Sequence, residues 1–302
     1  MLTSDCIRQR LTRWQRRSRE WCWRVAGKCR ERITVSTRQG RLTVFTSDQV
    51  IGHSLYVNRE FEAVWVQLVL SFLRSTQRLP PRGRGTVLDI GANMGVISIG
   101  MLCQQEFARA VAIEPDPRNY SLLVHNARQN CLPEDRYRAL CCGASDRGGT
   151  MEFELSPANF GDHRVRIANA AAESLDRCDE SQREVIRVPV DTIDNLLVHA
   201  LQPSDEVSLV WIDTQGHEGH VFAGGKQLFA RDIPVFAEFW PYGIQRSGLS
   251  QREFIDIAAS YWAYYWVWCA TEFVRYPINQ LSHLFAALGD EGNFDNILLT
   301  KN

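Results

Sequence analysis

Short β-prone apolar runs alternate with amphipathic stretches between residues 86 and 300. Most of the runs end on an acidic or small polar residue, and each is short enough to be a strand rather than a helix. A stretch that follows Pro115-Asp116-Pro117 has helix-start signals and predicts a helix over 118–130. The predicted strands are 86–89, 110–114, 137–141, 150–155, 186–190, 207–212, 235–238, 261–270 and 296–300. Strands that alternate with helices predict an α/β fold, a doubly wound and mostly parallel sheet whose strand ends line one crevice.

The first 85 residues follow a different pattern. Residues 33–45 contain two β-prone runs around a polar turn with Gly40, which predicts a β-hairpin, and residues 61–73 are apolar enough for a buried helix. A Pro- and Gly-rich linker over 79–85 precedes the first strand of the sheet. We therefore divide the chain into an N-terminal extension (1–33), a hairpin and helix region (34–85) and a main domain (86–302).

The N-terminal extension is strongly basic. It contains ten Lys and Arg residues against three acidic ones, a local charge of +7. Leu11, Trp14, Trp21 and Val25 recur at helical spacing, so a basic amphipathic helix is predicted. Such a helix suits an anionic membrane surface, a nucleic acid or a partner protein. The alternative is a solvated extension that packs its tryptophans on the domain.

Composition is that of an ordinary globular protein, with 302 residues, 45% hydrophobic residues, 23% charged residues and a net charge of −1. The whole chain therefore has no global bias toward nucleic acid. Nine cysteines without a Cys-x-x-Cys pair favour free thiols in a reducing cytoplasm over a disulfide framework or a zinc site. Because the sequence shows no membrane-spanning run and no signal peptide, a cytoplasmic location is expected.

The candidate ligand-binding residues follow the first two strands of the main domain. The first leads into Asp89-Ile90-Gly91-Ala92-Asn93-Met94-Gly95, and Glu114 ends the second strand about 25 residues on, where a carboxylate can accept hydrogen bonds from a ribose. Dinucleotide sites place a glycine where this loop has Asn93, whose side chain would crowd a diphosphate. Asp89 would repel phosphates but suits a cationic ligand. These residues favour S-adenosylmethionine, which is phosphate-free, over NAD.

The third strand of the main domain ends at Gly143-Ala144-Ser145-Asp146, where small residues leave room for a flat ring such as adenine. The polar segment 156–183 includes Asn159, Asp162, His163 and Arg164. It is either a substrate-facing insertion or a mobile loop.

Five motifs, VLDIGANMG, AIEPDPRNYSLLVHNA, VPVDTID, WIDTQGHEGHVFAGG and FAEFWP, occur in the order and spacing of the FkbM-type S-adenosylmethionine-dependent methyltransferase family. The chain resembles that family over roughly residues 35–300. The resemblance implies a class I methyltransferase fold, Rossmann-like, with a seven-stranded sheet whose last strand is antiparallel. It also implies methyl transfer, usually to an oxygen of a sugar or another small molecule.

The resemblance assigns residues to the site by position. Asp89, Gly91 and Gly95 correspond to the cofactor loop, in which Asn93 also lies, and Glu114 corresponds to the ribose carboxylate. Ala144 and Ser145 fall in the adenine-contacting segment. The run Asp213, Gly216 and Glu218 matches the family's Asp-x-Glu-Gly-x-Glu pattern. Two departures are Gln215, in place of the usual acidic residue, and Trp211, in place of a common lysine.

Methyl transfer to a hydroxyl needs a base at these strand ends. The candidate catalytic residues are Asp213, His217 and Glu218, with Glu238 as a further carboxylate. A carboxylate beside His217 is expected to raise its pKa above the ordinary value of about 6.5. Asp213 and Glu218 could alternatively hold a divalent metal, but without a third obvious ligand no metal site is predicted.

The acceptor predicted from these features is a small molecule or a glycan. Trp240-Pro241-Tyr242 only faintly resembles the Asn-Pro-Pro-Tyr element of amino-directed base methyltransferases, so nucleic acid is not the expected acceptor. Two other functions stay open: a cofactor-binding interaction protein in which Gln215 marks lost catalysis, and an NAD-linked oxidoreductase.

Overall fold

The fold is built around a mostly parallel sheet that is covered by helices on both faces. The computed structural model describes residues 4–166, 183–202 and 205–302, with side chains from residue 14 onward. The α-helices are α1 (Ser4–Cys29), α2 (Ile51–Val57), α3 (Ala63–Ser75), α4 (Val96–Cys103), α5 (Pro117–Gln129), α6 (Ile193–Ala200), α7 (Glu218–Ala223), α8 (Lys226–Ala230), α9 (Pro241–Arg246), α10 (Gln251–Ala259) and α11 (Leu281–Leu288). The strands are β1 (Arg32–Thr37), β2 (Gly40–Phe45), β3 (Thr86–Ile90), β4 (Arg109–Ile113), β5 (Tyr137–Leu140), β6 (Gly143–Ser145), β7 (Gly149–Leu155), β8 (Arg164–Val165), β9 (Glu184–Thr192), β10 (Val207–Ile212), β11 (Val235–Phe239), β12 (Tyr264–Cys269), β13 (Glu272–Pro277) and β14 (Asp295–Thr300).

The main sheet has eight strands in the order β13-β12-β14-β11-β10-β3-β4-β5. Pairing is parallel from β5 across to β11, whereas β14 runs antiparallel to both β11 and β12. Chain order reverses between β3 and β10, because β4 follows β3 on one side and β11 follows β10 on the other. This reversal is a topological switch point, where α/β sheets bind ligands.

The α/β prediction is confirmed, but two details of the sheet are corrected. The sheet has eight strands rather than seven because β13 adds an antiparallel edge strand beside β12. Its sequence, EFVRYP, lacks regular alternation of polar and apolar residues and therefore gives a weak strand signal. The predicted strands 150–155 and 186–190 do not join this sheet. They form β7 and β9 of a separate four-stranded sheet with the order β6-β9-β7-β8.

The two faces of the main sheet carry different cores because side chains alternate along each strand. Val87 belongs to a cluster with residues of α3, α4, α5 and the β1–β2 hairpin, whereas Leu88 and Ile90 belong to a cluster with residues of α6, α7, α8, α10 and α11. With both faces covered, β3 is buried along its whole length. Its carboxyl end is therefore the part of the strand that can present groups to a ligand.

The N-terminal elements pack onto the main domain. Asn126 of α5 accepts a hydrogen bond from the backbone N–H of Thr43 (2.8 Å) and donates one to its carbonyl (3.1 Å). Trp23 of α1 is buried in the same core as Val35 and Leu42. The hairpin thus shares a core with the main domain, and the boundaries proposed at residues 33 and 85 stay a prediction.

All cysteines with described side chains have free thiols: Cys22, Cys29, Cys103, Cys131, Cys141, Cys142 and Cys269. The side chain of Cys6 and the whole of Cys178 lie outside the described residues. Within the described part of the chain, no helix combines the length and the hydrophobicity that crossing a membrane requires.

Candidate active site

A pocket with a cavity volume of about 50 Å³ opens at the switch point, between the carboxyl ends of β3, β4 and β10. Gly91 and Asn93 line it from the loop after β3, Glu114 from the end of β4, and Asp213 and His217 from the loop after β10. Ala144 and a loop that contains Phe160 and His163 complete the walls.

The loop after β3 needs its glycines because of backbone geometry. Gly91, Asn93 and Gly95 have positive φ angles of 84°, 51° and 86°. A Cβ atom on Gly91 would lie 1.8 Å from the carbonyl oxygen of Asp213, so any side chain there would collide with the neighbouring loop. Only glycine lets the loops after β3 and β10 meet at the pocket floor. Gly95 precedes α4 and does not line the pocket.

Asp89 lies beneath the pocket and does not line it. Its Oδ2 accepts hydrogen bonds from the backbone N–H (3.2 Å) and the hydroxyl (2.5 Å) of Ser98, in the first turn of α4. Burial raises the pKa of Asp89 to about 6 despite these bonds. Asp89 therefore anchors the helix that follows the loop, and its contact with a cofactor stays a prediction.

Glu114 is on the pocket wall, as predicted from its place at the end of β4. Its Oε2 accepts a hydrogen bond from the backbone N–H of Asn93 (2.8 Å), and its Oε1 accepts one from that of Asp116 (2.9 Å). Burial raises the pKa of Glu114 to about 8, and the negative charges of Asp116 and Asp89 add to the effect. The carboxylate is thus buried and held in place by backbone amides at the wall of the pocket.

Asn93 links the cofactor loop to the loop that closes the pocket. Its Nδ2 donates to the carbonyl oxygen of Phe160 (2.7 Å), and Asn119 Nδ2 donates to the same oxygen (3.3 Å). In that loop His163 Nδ1 accepts a hydrogen bond from the backbone N–H of Ser156 (3.0 Å). The described part of the predicted insertion therefore forms a wall of the pocket, and residues 167–182 lie outside the described residues.

Ala144 lines the pocket, whereas Ser145 is fully buried behind it. Ser145 Oγ lies 2.9 Å from His217 Nε2, so it positions the imidazole. His217 is stacked on His220 with a ring-centre distance of 4.3 Å. Burial lowers the pKa of His217 well below its ordinary value, and His220 and Arg147 lower it further. The expected rise is wrong, since the nearby carboxylate of Asp146 lies 3.5 Å from His220 Nδ1 instead.

Asp213 belongs to a group of acids on one side of the pocket. The Gln215 amide nitrogen donates to Asp213 Oδ1 (2.6 Å) and to Glu238 Oε2 (2.9 Å). Burial, together with the charge of Asp162, raises the pKa of Asp213 to about 6, although the Gln215 hydrogen bond opposes this. Burial and the charges of Asp213 and Glu218 raise the pKa of Glu238 well above its ordinary value.

Glu218 supports the loop from inside and does not line the pocket. Its Oε1 accepts from the backbone N–H of Thr214 (2.9 Å), from the Thr214 hydroxyl (3.0 Å) and from the backbone N–H of Gly216 (3.3 Å). Burial raises the pKa of Glu218 to about 7. The structure thus separates the three candidate bases, with Asp213 and His217 on the pocket and Glu218 behind it.

Within the described ranges, no three His, Cys, Asp or Glu side chains are grouped so that they could hold a metal ion. Asp213 and Glu218 in particular direct their carboxylates to different partners, Gln215 and Thr214.

Residues 89–264, more than half of the chain, match the model of the methyltransferase FkbM domain. The chain belongs to the FkbM methyltransferase family. The resemblance read from its motifs is thereby confirmed. The match starts at Asp89, so α1, the β1–β2 hairpin and α3 lie outside the region that the family model covers.

Three individual proteins are similar to this FkbM-family chain at sequence identities of 13–25%. The 2-O-methyltransferase NoeI of Sinorhizobium fredii is 25% identical over 177 residues, which are 58% of this chain and 71% of NoeI. The crystal structure of methyltransferase FkbM from Methylobacillus flagellatus is 14% identical, with a TM-score of 0.42 over 74% of this chain and 44% of that one. The chain thus spans less than half of that structure. A geranyl diphosphate methyltransferase solved in complex with SAM is 13% identical, with a TM-score of 0.39 over 82% of this chain and 88% of that one.

One acid that interacts electrostatically with Asp213 and Asp89, without lining the pocket, could not be identified from the sequence. Glu62 precedes α3 in a left-handed conformation with a φ of 54°. Burial and the charges of Asp213 and Asp89 raise the pKa of Glu62 to about 8. Its only sequence signal is its place just before an apolar helix, which gives no indication of the distant strand ends that it approaches.

Proposed function

We propose that this FkbM-family protein uses S-adenosylmethionine to methylate a hydroxyl oxygen of a sugar or another small molecule. The observation that carries the proposal is the pair of carboxylates, Glu114 and Asp213, on opposite sides of one pocket, with Gly91 between them. Carboxylates favour a cationic ligand, and a ribose hydroxyl is a suitable donor to Glu114. The 2-O-methyltransferase activity in the name of NoeI is in keeping with a sugar or small-molecule oxygen as the acceptor.

The residues present are suitable for this cofactor. Three buried side-chain atoms of pocket residues lack a hydrogen-bond partner, and one of them, His163 Nε2, lies 3.5 Å from the Asp116 carboxylate. The other two are Asn119 Oδ1 and His217 Nδ1. Buried polar atoms are normally paired, so these two are available to polar groups of a bound molecule. When bound, S-adenosylmethionine would supply a methyl group on its sulfonium sulfur for in-line displacement, with the neutral thioether as the leaving group.

We assign the role of general base to Asp213. A pKa of about 6 leaves most of this carboxylate ionised at neutral pH while keeping it more basic than an ordinary aspartate. Asp213 would accept the proton of the acceptor hydroxyl, and Gln215 would hold the carboxylate in place. His217 is the weaker candidate because its pKa is well below the ordinary value. Glu218 is a positioning residue that fixes the loop 213–218.

The test is incubation of the purified protein with methyl-labelled S-adenosylmethionine and a panel of mono- and oligosaccharides, with products identified by mass spectrometry. Label in a methyl ether is the expected result, and label on nitrogen or carbon would contradict the oxygen assignment. Tight cofactor binding without turnover on the panel or in a cell extract would favour the interaction protein. Binding of NAD without binding of S-adenosylmethionine would favour the oxidoreductase.

A further inference from the structure

An apolar stripe on α1 faces solvent. Trp14 and Trp21 are 69% and 67% exposed, and Val25 is 41% exposed. Their spacings of seven and four residues place them on one side of the helix. Tryptophan is highly buried on average, and exposed apolar residues arranged in a continuous patch indicate an interaction surface.

The opposite side of α1 is fixed to the protein. Trp23 is 3% exposed, and its indole N–H donates to Gln49 Oε1 (3.3 Å). The Trp23 ring packs on Tyr56 of α2, and the Arg19 guanidinium donates to the carbonyl of Val57 (3.1 Å). Because these contacts set the rotation of the helix, the stripe cannot turn inward without breaking them. The hypothesis that all the tryptophans pack on the domain therefore holds for Trp23 but not for Trp14 and Trp21.

Basic side chains accompany the stripe at a regular interval. Arg17, Arg24 and Lys28 each follow a stripe residue by three positions, and all three are exposed. Residues three apart are neighbours on a helix surface, so the cations form a row beside the apolar stripe. Residues 14–30 contain six basic residues and one acidic residue, Glu20, a net charge of +5.

We propose that α1 is an interfacial helix that docks on the anionic surface of a lipid bilayer. Trp14, Trp21 and Val25 enter the boundary between headgroups and acyl chains, and Arg17, Arg24 and Lys28 contact lipid phosphates. Tryptophan favours this boundary, and basic residues beside an apolar helix face are attracted by anionic lipids. This inference stands on α1 alone and does not depend on the reaction that the pocket catalyses.

A bilayer explains this surface better than a nucleic acid does. Sequence readers present amide or guanidinium groups to base edges, whereas the stripe consists of two indoles and a valine, Trp14, Trp21 and Val25. Single-strand binders place their aromatics inside a basic groove. On α1, Trp14 and Trp21 lie on the solvent-exposed side of the helix. A bilayer is flat and has an apolar interior, so both side chains can enter it at once.

The docked helix would lie close to the pocket wall. α2 packs between α1 and the pocket loop, and the backbone N–H of Gln49, just before α2, donates to the carbonyl of Ala158 in that loop (2.8 Å). Phe160 of the same loop lines the pocket. Docking through α1 would therefore bring this wall near the lipid surface.

Cosedimentation of the full-length protein with vesicles tests the proposal at 0.15 M salt. The vesicles are pure phosphatidylcholine or phosphatidylcholine with 30% phosphatidylserine. We expect binding to the anionic vesicles, weak or no binding to the neutral ones, and a blue shift of tryptophan emission. Trp14→Ala with Trp21→Ala, and separately Arg17→Gln with Arg24→Gln, should each weaken binding about tenfold or more.

Matched controls are exposed residues far from α1 in sequence. Val198→Ala with Phe294→Ala removes apolar groups, and Arg187→Gln with Arg252→Gln removes charges. Both should bind vesicles like the unchanged protein, and thermal unfolding checks that every variant is folded. Absence of binding to anionic vesicles, or equal binding by stripe and control variants, would overturn the proposal. Tighter binding to an RNA or DNA oligonucleotide that the stripe variants abolish, or concentration-dependent self-association with the same sensitivity, would do so too.

Discussion

At the residue scale, Glu114 has a preorganised carboxylate on the wall of the pocket. Two backbone amides fix its carboxylate at the end of β4, while burial raises its pKa to about 8. A buried carboxyl with so high a pKa is destabilised as an anion. A cationic ligand in the pocket would offset this penalty, which is a physical reason for the cationic cofactor that we propose.

Glu114→Gln removes the charge at similar size. We expect the dissociation constant for S-adenosylmethionine to rise by the equivalent of about 1–3 kcal/mol, because a charged hydrogen-bond acceptor is lost. Isothermal titration calorimetry measures the change. Glu152→Gln, at a carboxylate that is 44% exposed, is the control and should bind normally. An unchanged constant for Glu114→Gln would rule out its role at the ribose.

Gln215 is a position at which this chain differs from the acidic residue that the resemblance of its motifs would place there. Its amide donates to Asp213 and Glu238, so it separates two carboxylates and stabilises both. Gln215→Glu replaces the donor by a third acid. We expect the pKa of Asp213 to rise by about one unit and the methylation rate at pH 6 to fall by up to about tenfold, since less of the base is ionised.

The pH profile of kcat measures the effect of Gln215→Glu, with its acidic limb shifted upward. Gln227→Glu, at an exposed position of α8, is the control. A gain of activity at pH 6 would instead show that the family's acidic residue is catalytically superior and that Gln215 weakens this enzyme.

At the scale of elements, α5 holds the β1–β2 hairpin against the sheet layer. Asn126 is fully buried and, besides its two bonds to Thr43, donates to the carbonyl of Met94 (3.0 Å) in the cofactor loop. One side chain thereby joins a hairpin, a helix and the loop that lines the pocket. This arrangement makes the N-terminal hairpin part of the support of the site.

Asn126→Ala leaves three buried backbone groups without this partner. We expect the free energy of unfolding to fall by about 3 kcal/mol, since each unsatisfied buried group costs about 1–3 kcal/mol and some will be rehydrated. Urea denaturation followed by circular dichroism measures the loss. Asn195→Ala, at an exposed residue of α6, should change stability by less than about 0.5 kcal/mol. Equal effects of the two substitutions would contradict the supporting role of Asn126.

At the scale of the whole molecule, the site concentrates acids whose pKa values are raised mainly by burial. Glu62 and Glu114 have values of about 8, Glu218 of about 7, and Asp89 and Asp213 of about 6. In the unfolded chain these groups titrate near 4. Between pH 4 and 8 the folded state therefore binds more protons than the unfolded state, and its stability falls as pH rises.

The ligand-free protein should accordingly lose stability from pH 5 to pH 8, as measured by urea denaturation at fixed ionic strength. Binding of the cationic cofactor should release protons and become tighter over the same interval, because it favours the ionised acids. Calorimetry in buffers of different ionisation enthalpy counts those protons. S-adenosylhomocysteine, which lacks the sulfonium charge, is the control and should show a weaker pH dependence. Cofactor affinity that is constant from pH 6 to 8 would contradict this linkage.

Much of the fold followed from local pattern. The strands at Asp89, Glu114 and Asp213 were predictable because buried parallel strands are short apolar runs that end in polar residues. The separate sheet of β7 and β9 was not, since period-2 alternation shows that a strand exists but not which strand pairs with it. The edge strand β13 was missed because its residues do not alternate regularly between polar and apolar.

The sequence by itself determined the α/β class, the family, the glycine loop and the position of Glu114 at a strand end, all of which depend on neighbours in the chain. Tertiary structure alone decided which acids meet. In the folded chain, Asp89 lies beneath the pocket, and Glu218 accepts hydrogen bonds from the loop that precedes it. Glu62 comes close enough to Asp213 for their charges to interact, and Gln215 donates to both Asp213 and Glu238. The physical reason is that burial and charge–charge distances, which fix these pKa values, arise between segments far apart in sequence.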